Sequence, residues 1–336
     1  MRYLKACIML LALLLASCQR TETTHRMSGR VFGTAVEVSI YGGTAEQAAE
    51  SSRAVLAEFD RLHHKFHAWQ PSMLTALNDA IARGEPFKAD AEMVGLLQSA
   101  TALAERSDNL FNPAIGRLIR LWGFQSSKLE RHDPPPAEID RWVRANPRLA
   151  DLRYQGTTIT STNPAVMIDL GGYAKGYALD RAALILRAAN VKAALVNVGG
   201  NVLAIGRPGA RPWMVGIQDP RGTGALVSIA LHDNEAMGTS GDYQRYFMKD
   251  GKRHPHIIDP RTGGTVDLVA SVTVIASGGS DPGLQSDGNS KPLFITGPEG
   301  WEAMAGQMGL REVLLIDAGK RFLMTPAMRD RIMASQ

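Results

Sequence analysis

The chain has 336 residues, of which 45% are hydrophobic and 21% are charged, and its formal net charge at pH 7 is +4. This composition excludes a disordered chain and is typical of a globular protein with one large domain or two closely associated halves. The small net charge does not favour nucleic acid as a partner, and two cysteines exclude a disulfide scaffold.

The first 18 residues predict an export signal. A short basic region precedes an apolar run from Ile8 to Ala16, which is too short to span a membrane as a stable helix. The run ends in Leu15-Ala16-Ser17-Cys18, which resembles the cleavage site of bacterial lipoproteins. We therefore expect residues 1–18 to be a lipoprotein signal peptide ending at a lipidated Cys18, followed by a tether over residues 19–29. The protein would then be exported and anchored to a bacterial membrane, facing the periplasm. The alternative is an ordinary signal peptide that contains a cysteine.

The domain proper is expected to span residues 30–336 and to begin with a strand and a helix. β-Branched residues predict a strand from Arg30 to Ile40. Thr44 and Gln47 have the spacing of a capping box at a helix N-terminus. Apolar positions then recur at alternating spacings of four and three, which predicts an amphipathic helix. Its predicted buried positions are Ala48, Ser52, Val55, Phe59, Leu62 and Phe66.

Two more helices are predicted in the first half of the chain. One begins after Asp90 and buries Val94 and Leu97. The other begins at Asn112-Pro113, with the proline at the first helical position, and ends near residue 123. Residues 126–136 are rich in charge and proline, which predicts an exposed loop.

From Leu152 onward the pattern changes to strands separated by Gly, Pro and Asp turns, with helices near residues 174–189 and 299–309. Helices and strands alternate without a strict βαβ order, so the predicted fold class is α+β with a mixed sheet. No Gly-x-Gly-x-x-Gly segment opens a βαβ unit, and no Gly-Lys-Ser/Thr loop is present. The two commonest nucleotide-binding folds are therefore disfavoured.

The segment 169–180 carries the strongest functional signal. Apolar residues 165–168, predicted as a strand, lead into Asp169, a Gly171-Gly172 bend and the start of a helix that contains Lys175. Glycines allow the backbone to approach a bulky ligand, and a helix N-terminus beside a lysine favours an anion such as a pyrophosphate. An ordinary strand–turn–helix corner is the alternative.

Further blocks occur with this segment in one order along the chain. They are Phe111-Asn112-Pro113-Ala114-Ile115-Gly116, Asn197-Val198-Gly199-Gly200-Asn201, Gly238-Thr239-Ser240-Gly241-Asp242-Tyr243 and His254-Pro255-His256-Ile257-Ile258-Asp259-Pro260-Arg261-Thr262-Gly263. With these blocks the chain resembles the ApbE family of FAD:protein FMN transferases, from about Gly29 to the C-terminus. The blocks are specific together, whereas no single one would suffice.

This resemblance implies an ApbE-like fold of two interwoven halves with FAD in the groove between them. It also implies a Mg²⁺-dependent transferase that moves FMN from FAD to a threonine hydroxyl of a target protein and releases AMP. The acceptor would be a redox-protein subunit that carries a threonine flavinylation motif. The alternatives are an FAD-binding lipoprotein without transferase activity and an FAD pyrophosphatase.

The resemblance assigns roles to individual residues. His256 is the candidate catalytic base, alone or assisted by Asp242, because an imidazole has a suitable pKa; otherwise it orients the turn that follows. The positions that match FAD contacts are Phe32, Trp69, Leu110, Phe111, Asn112, Asp169, Lys175 and Ile258. Asn112 stands where the family more often has an acid. Phe32 and Trp69 replace a methionine and a tyrosine, and core packing is their alternative role.

The metal site is where the sequence departs from the family. The family signature Asp-Ala-x-Ser/Asp-Thr precedes an apolar strand. The aligned residues here are Asp287-Gly288-Asn289-Ser290-Lys291, and the apolar residues 292–295 follow where that strand is expected. Asp287, Ser290 and a backbone carbonyl at Gly172 remain as expected Mg²⁺ ligands. Lys291, at the last position of the site, has no acceptor for a cation. Its ammonium would repel Mg²⁺ or replace part of its charge, which weakens the predicted magnesium site without abolishing it.

Three histidines close together do not predict a second metal site. Among them only His63 and His67 share a helical face, while His64 diverges, and no carboxylate accompanies them. A solvated helix end is the preferred interpretation. The residues from Thr239 to Asp242 are interpreted as a backbone turn near the nucleotide.

Overall fold

The computed structural model describes residues 23–126 and 134–335. The predicted signal peptide, its lipidation site at Cys18 and residues 127–133 of the predicted loop lie outside this part of the chain. Among the described residues, no helix combines the length and apolar character needed to cross a membrane. The helices in this part are α1 (Ala45–Lys65), α2 (Met73–Arg83), α3 (Ala91–Arg106), α4 (Gly116–Leu121), α5 (Pro136–Ala145), α6 (Ala174–Ala188), α7 (Pro282–Gln307) and α8 (Pro326–Ala334).

The strands of the described part form a sheet at the centre of the molecule and smaller sheets beside it. They are β1 (Thr24–Val31), β2 (Thr34–Tyr41), β3 (Phe87–Lys88), β4 (Leu152–Gln155), β5 (Thr158–Ser161), β6 (Ala194–Val198), β7 (Asn201–Ile205), β8 (Trp213–Gln218), β9 (Ala225–Leu231), β10 (Glu235–Gly241), β11 (Tyr246–Lys249), β12 (Lys252–Pro255), β13 (Val269–Ser277), β14 (Glu312–Asp317) and β15 (Phe322–Met324).

The central sheet has eight strands in the order β1-β2-β6-β7-β10-β13-β14-β15, and neighbouring strands run antiparallel. The smaller sheets are β3-β5-β4, β8-β9 and β11-β12. A core cluster joins α1, α3 and α6 to one end of the central sheet, and a second joins α7 to β13 and β14. This combination of helices with a sheet confirms the predicted α+β class. The central sheet is antiparallel, however, and not mixed as predicted, because its strands are joined by hairpins and by longer connections that reverse direction.

Helix α1 forms as the sequence predicts. The Thr44 hydroxyl accepts a hydrogen bond from the Gln47 N–H at 3.2 Å, and the Gln47 side chain accepts one from the Thr44 N–H at 3.3 Å. The predicted apolar positions are all buried, and Val55 and Phe59 are fully so. Burying a side chain of that size contributes about 1.5–3 kcal/mol, so packing fixes the helix more firmly than its cap does.

The predicted strand over residues 30–40 is wrong as a single element. Strands β1 and β2 form a hairpin, and its turn residues Phe32 and Gly33 have φ values of 55° and 71°. Positive φ at both positions belongs to the tight turn that matches the twist of paired strands. The register extends back to Thr24, so residues 24–29 belong to the sheet and not to the predicted tether.

Two other expectations from local sequence also fail, and two helices were missed. Helix α4 begins at Gly116, because the Asn112 side chain accepts the Ala114 N–H at 3.0 Å and fixes a turn there. The predicted strand over residues 165–168 is an extended segment with one parallel bridge, between Ile115 and Met167. Helices α2 and α5 were not predicted, although α2 has a capping box at its start.

Two predictions concern helix α7, and one of them is correct. The predicted helix 299–309 is its second half, whereas the apolar residues 292–295, expected as a strand, are helical. Leu293 and Phe294 are fully buried, and a short run buried on all sides carries no period that separates strand from helix. A kink at Gly297, with φ 73°, joins the two halves.

Candidate functional site

A cavity of about 1140 Å³ opens at the N-terminal end of α6. Segments far apart in the sequence meet there, including residues 110–113 and 256–258. The sequence-predicted residues that line it are Phe32, Trp69, Leu110, Phe111, Asn112, Asp169, Gly172, Lys175, His256, Ile258 and Lys291. Asp287 and Ser290 lie beneath its wall and are 1% and 0% exposed. The roles of these residues stay predictions, but the structure brings them to one place.

Buried hydrogen bonds fix the chain that enters the cavity. Asn78 on α2 donates its side-chain N–H to the Ile168 carbonyl at 2.9 Å and accepts the Ile168 N–H at 2.7 Å. The next residue, Asp169, accepts the Gly171 N–H at 2.9 Å and a side-chain N–H of Gln125 at 3.2 Å. Because each carboxylate oxygen of Asp169 has a donor, the glycine bend is held in one conformation.

The bend leads directly into α6, whose first turn lines the cavity. Its N-cap residue, Tyr173, provides no side-chain cap. The N–H groups of a first helical turn carry partial positive charge, and an anion is stabilised beside them. Lys175 lies in this turn, lines the cavity and adds a full positive charge.

His256 presents an unprotonated ring nitrogen. Its Nδ1 lies 3.2 Å from the carbonyl oxygen of Arg245. A carbonyl only accepts hydrogen bonds, so Nδ1 carries the proton and Nε2 keeps its lone pair. Burial, reinforced by the positive charges of Lys175 and Arg245, lowers the pKa of His256 to about 3. The ring is therefore neutral at pH 7 and is able to accept a proton.

Asp242 does not assist His256, so that alternative is wrong. Its carboxylate accepts two hydrogen bonds from Arg221, both at 2.7 Å, and one from Arg253 at 2.9 Å. The predicted turn from Thr239 to Asp242 is also wrong, since its first three residues are the end of β10.

A row of rings forms one wall of the cavity. Phe32 lies 5.6 Å from His63, His63 lies 4.9 Å from His67, and His67 lies 4.8 Å from Trp69, measured between ring centroids. The guanidinium carbon of Arg245 lies 5.8 Å from the Trp69 centroid. Trp69 is 38% exposed, and it is the member of the row most available to a planar ligand.

The interpretation of the histidines as a solvated helix end is correct only for His64, whose side chain is 73% exposed. His63 and His67 line the cavity, and burial lowers the pKa of each. Sequence reasoning missed them because their neighbours in the row come from the β1–β2 turn and from the segment after α1. It also missed Arg245, which stands in a polar loop between two motif blocks.

Both polar groups of the Asn112 side chain form hydrogen bonds within the protein. Its side-chain N–H donates to the Pro147 carbonyl at 2.9 Å, and its side-chain oxygen accepts the Ala114 N–H at 3.0 Å. Its neighbours Leu110 and Phe111 are 5% and 4% exposed. This segment therefore shapes the cavity, and the amide of Asn112 holds a loop in place.

The oxygen atoms of Asp287 and Ser290, which are the expected metal ligands, already form hydrogen bonds within the protein. Lys291 Nζ donates to the Asp287 carbonyl at 2.6 Å and pairs with Asp287 Oδ1. The Gly176 N–H donates to Asp287 Oδ2 at 2.9 Å, and Ser290 Oγ donates to the Asp287 carbonyl at 2.7 Å. Burial raises the pKa of Asp287, but Lys291 and Lys175 outweigh it and hold the pKa below its usual range. In the described part of the chain, no group of three or more His, Cys, Asp or Glu could hold a metal.

Comparison with known proteins agrees with this arrangement. The model of the ApbE family matches residues 32–315, which is most of the chain and includes every residue that lines the cavity except Arg30. The chain belongs to the ApbE family.

Two curated relatives are named FAD:protein FMN transferase. The one from Rhodobacter capsulatus is 41% identical over 90% of this chain, although the chain spans only 57% of that relative's length. The one from Haemophilus influenzae is 29% identical, with 93% of this chain and 92% of the relative covered.

Solved ApbE structures share the fold. The ApbE protein of Thermotoga maritima superposes with a TM-score of 0.85 at 30% identity, over 92% of this chain and 99% of that one. The flavinyl transferase ApbE of Pseudomonas stutzeri gives 0.79 at 27% identity, over 93% and 97%. The predicted ApbE-like fold is therefore confirmed, and Lys291 is a feature of this ApbE protein at the expected metal position.

Proposed function

We propose that this chain is an FAD:protein FMN transferase. The observation that carries the proposal is the neutral imidazole of His256 together with the lysine-bearing first turn of α6, which line one cavity large enough for a dinucleotide. The names of the Rhodobacter capsulatus, Haemophilus influenzae and Pseudomonas stutzeri relatives support it.

The reaction exchanges the phosphoanhydride bond of FAD for a phosphate ester bond to threonine. The threonine hydroxyl of an acceptor protein attacks the phosphorus of the FMN half of FAD and forms a new phosphorus–oxygen bond. The bond from that phosphorus to the bridging oxygen breaks, and AMP leaves. His256 accepts the hydroxyl proton at Nε2, while Lys175 and the positive end of the α6 dipole neutralise charge on the phosphates.

The flavin end of FAD has a matching surface in the row of rings from Phe32 to Trp69. An isoalloxazine is a flat aromatic system, and offset or edge-to-face contacts with aromatic side chains favour it. Trp69 offers the largest exposed plane of the row. The row therefore orients the FMN half of the substrate, with its phosphate toward His256 and Lys175.

Magnesium is implied by the resemblance, and in such a reaction it would act as a template and Lewis acid. The residues present do not fit it. Mg²⁺ requires about six oxygen ligands in octahedral geometry. Here the oxygens of Asp287 accept hydrogen bonds from Lys291, Gly176 and Ser290, and an ammonium occupies the last expected ligand position. We therefore assign no step to Mg²⁺.

The test of the proposed function is acceptor-dependent release of AMP. The purified full-length chain is incubated with FAD, with and without a redox-protein subunit that carries a threonine flavinylation motif, and AMP is measured by chromatography. A transferase forms AMP in step with flavin bound to the acceptor. AMP formed equally without acceptor indicates a pyrophosphatase, and bound FAD without AMP indicates a flavin-binding protein.

The pH dependence follows from the state of His256. Protonation of Nε2 would remove the lone pair, so the rate should fall only as the pH drops toward the pKa of about 3. We expect kcat/KM for transfer to show no acid limb between about pH 5 and pH 8, because this ratio reports groups of the free enzyme. A limb with a midpoint near the usual histidine pKa of about 6.5 would contradict the assignment.

The membrane anchor is a separate proposal that rests on the N-terminal sequence. We propose that Cys18 carries a lipid and holds the domain at a membrane facing the periplasm, where the acceptor subunit would also lie. The Cys18→Ala chain should move from the membrane fraction to the periplasmic fraction after cell disruption. An unchanged membrane fraction for this variant would show that another segment anchors the protein.

A further inference from the structure

Lys291 occupies the place where a bound cation would be expected. Its side chain is 17% exposed, and the Asp287 side chain beneath it is 1% exposed. Lys291 Nζ donates to both the carbonyl and the carboxylate of Asp287. One residue of α7 thus holds the ammonium by two contacts, which fixes its position at the wall of the cavity.

Lys291 also packs against Gly172, whose backbone carbonyl is the other expected Mg²⁺ ligand. A Cβ built at Gly172 would lie 3.2 Å from Lys291 Cε, so the aliphatic part of the lysine packs against the glycine bend. The ammonium has three N–H groups and no lone pair. Two of them face Asp287, and the third remains for a ligand in the cavity that Lys291 lines.

The positive charges of Lys175 and Lys291 complement the negative charge of a pyrophosphate. Lys291 and Lys175 line the same cavity, and the positive charges of both lower the pKa of Asp287 and add to the effect of burial in lowering that of His256. Together they carry two positive charges, the same as one Mg²⁺ ion. An ammonium is a compact charge that binds phosphate oxygens as a point contact.

We propose that Lys291, held by Asp287, is the built-in cation that contacts the FAD pyrophosphate, so that this protein binds FAD and transfers FMN without a divalent metal. This inference rests on the proposed function. Lys291 then recognises phosphate, and its presence is more than the loss of a magnesium ligand.

The first part of the test needs only the wild-type chain. Its affinity for FAD is measured by isothermal titration calorimetry in EDTA and in Mg²⁺, and the two dissociation constants should agree within about twofold. A gain of about tenfold or more on adding Mg²⁺ would overturn the proposal, because such a gain requires a productive metal site.

Two variants separate charge from shape. Lys291→Met keeps the length of the side chain and should weaken FAD about tenfold or more in EDTA, while riboflavin, which has no phosphate, binds unchanged. Lys291→Thr should bind FAD weakly in EDTA and recover on adding Mg²⁺. The control is Lys192→Met, an exposed lysine away from the cavity, which should leave FAD binding unchanged.

Failure of this inference and failure of the proposed function give different results. Transfer that requires Mg²⁺ overturns the role of Lys291 and leaves the transferase intact. FAD binding that ignores Mg²⁺ and weakens in Lys291→Met, with no transfer, supports the role and contradicts the transferase. Equal loss of FAD and riboflavin in Lys291→Met would indicate a general structural role and would overturn the inference.

Discussion

Replacing His256 with alanine should lower kcat/KM for FMN transfer by about 10²–10⁴-fold, the usual contribution of a general base. The loss is expected because Nε2 is the acceptor for the threonine proton, and Arg245 holds the ring in the tautomer that leaves this nitrogen free. The affinity for FAD should change little, since a neutral imidazole contributes no charge to phosphate binding. Transfer is measured in initial-rate assays and FAD binding by calorimetry.

His64→Ala is the matched control for this variant. His64 is a solvent-exposed histidine at the end of α1, and its replacement should leave both the transfer rate and FAD binding unchanged. Transfer at the wild-type rate in His256→Ala would remove His256 from the role of base. Loss of FAD binding together with transfer would make it a binding residue instead.

Gly176→Ala should disturb Lys175, Asp287 and Lys291 together, the residues proposed to form the pyrophosphate site. Gly176 lies where α6 packs on the start of α7, and a Cβ there would overlap the Gly283 carbonyl and lie 2.8 Å from the Cβ of Asp287. Relief of this overlap pushes α7 and Asp287 away from α6. We expect a loss of about 1–3 kcal/mol in the free energy of unfolding and about a tenfold or greater loss of FAD affinity.

Gly95→Ala is the control for the glycine change. Gly95 is an exposed residue of α3, and a Cβ built there meets nothing within 4 Å. Alanine favours a helix over glycine by about 0.8–1.0 kcal/mol, so this variant should be slightly more stable and should bind FAD as the wild type does. Denaturant unfolding and calorimetry check both variants. Wild-type stability and FAD affinity in Gly176→Ala would show that the two helices tolerate separation.

The sequence predicts an element correctly when the residues that fix it lie within that element. The capping box of Thr44 and Gln47 and the apolar period that follows define α1 without reference to the rest of the chain. The same holds for α6 after its glycine bend. The motif blocks taken together resemble the ApbE family, and that resemblance implied that distant segments would meet, as they do around the cavity.

Elements fixed by distant contacts could not be predicted in this way. The φ of 55° at Phe32 depends on the pairing of β1 with β2, since phenylalanine rarely adopts a left-handed conformation alone. The 292–295 segment of α7 is buried, so its apolar run carries no period that separates a helix from a strand. Arg245 entered the site through its carbonyl and its contact with Trp69, neither of which leaves a sequence pattern.

The mass of an acceptor protein tests the central claim most directly. The full-length chain is incubated with FAD and an acceptor subunit whose threonine motif is intact, and in parallel with the same subunit carrying valine at that threonine. We expect the intact acceptor to gain the mass of FMN less one water, with the change mapped to the threonine, and the valine form to gain nothing. An unmodified threonine acceptor, with FAD bound to the chain throughout, would contradict it.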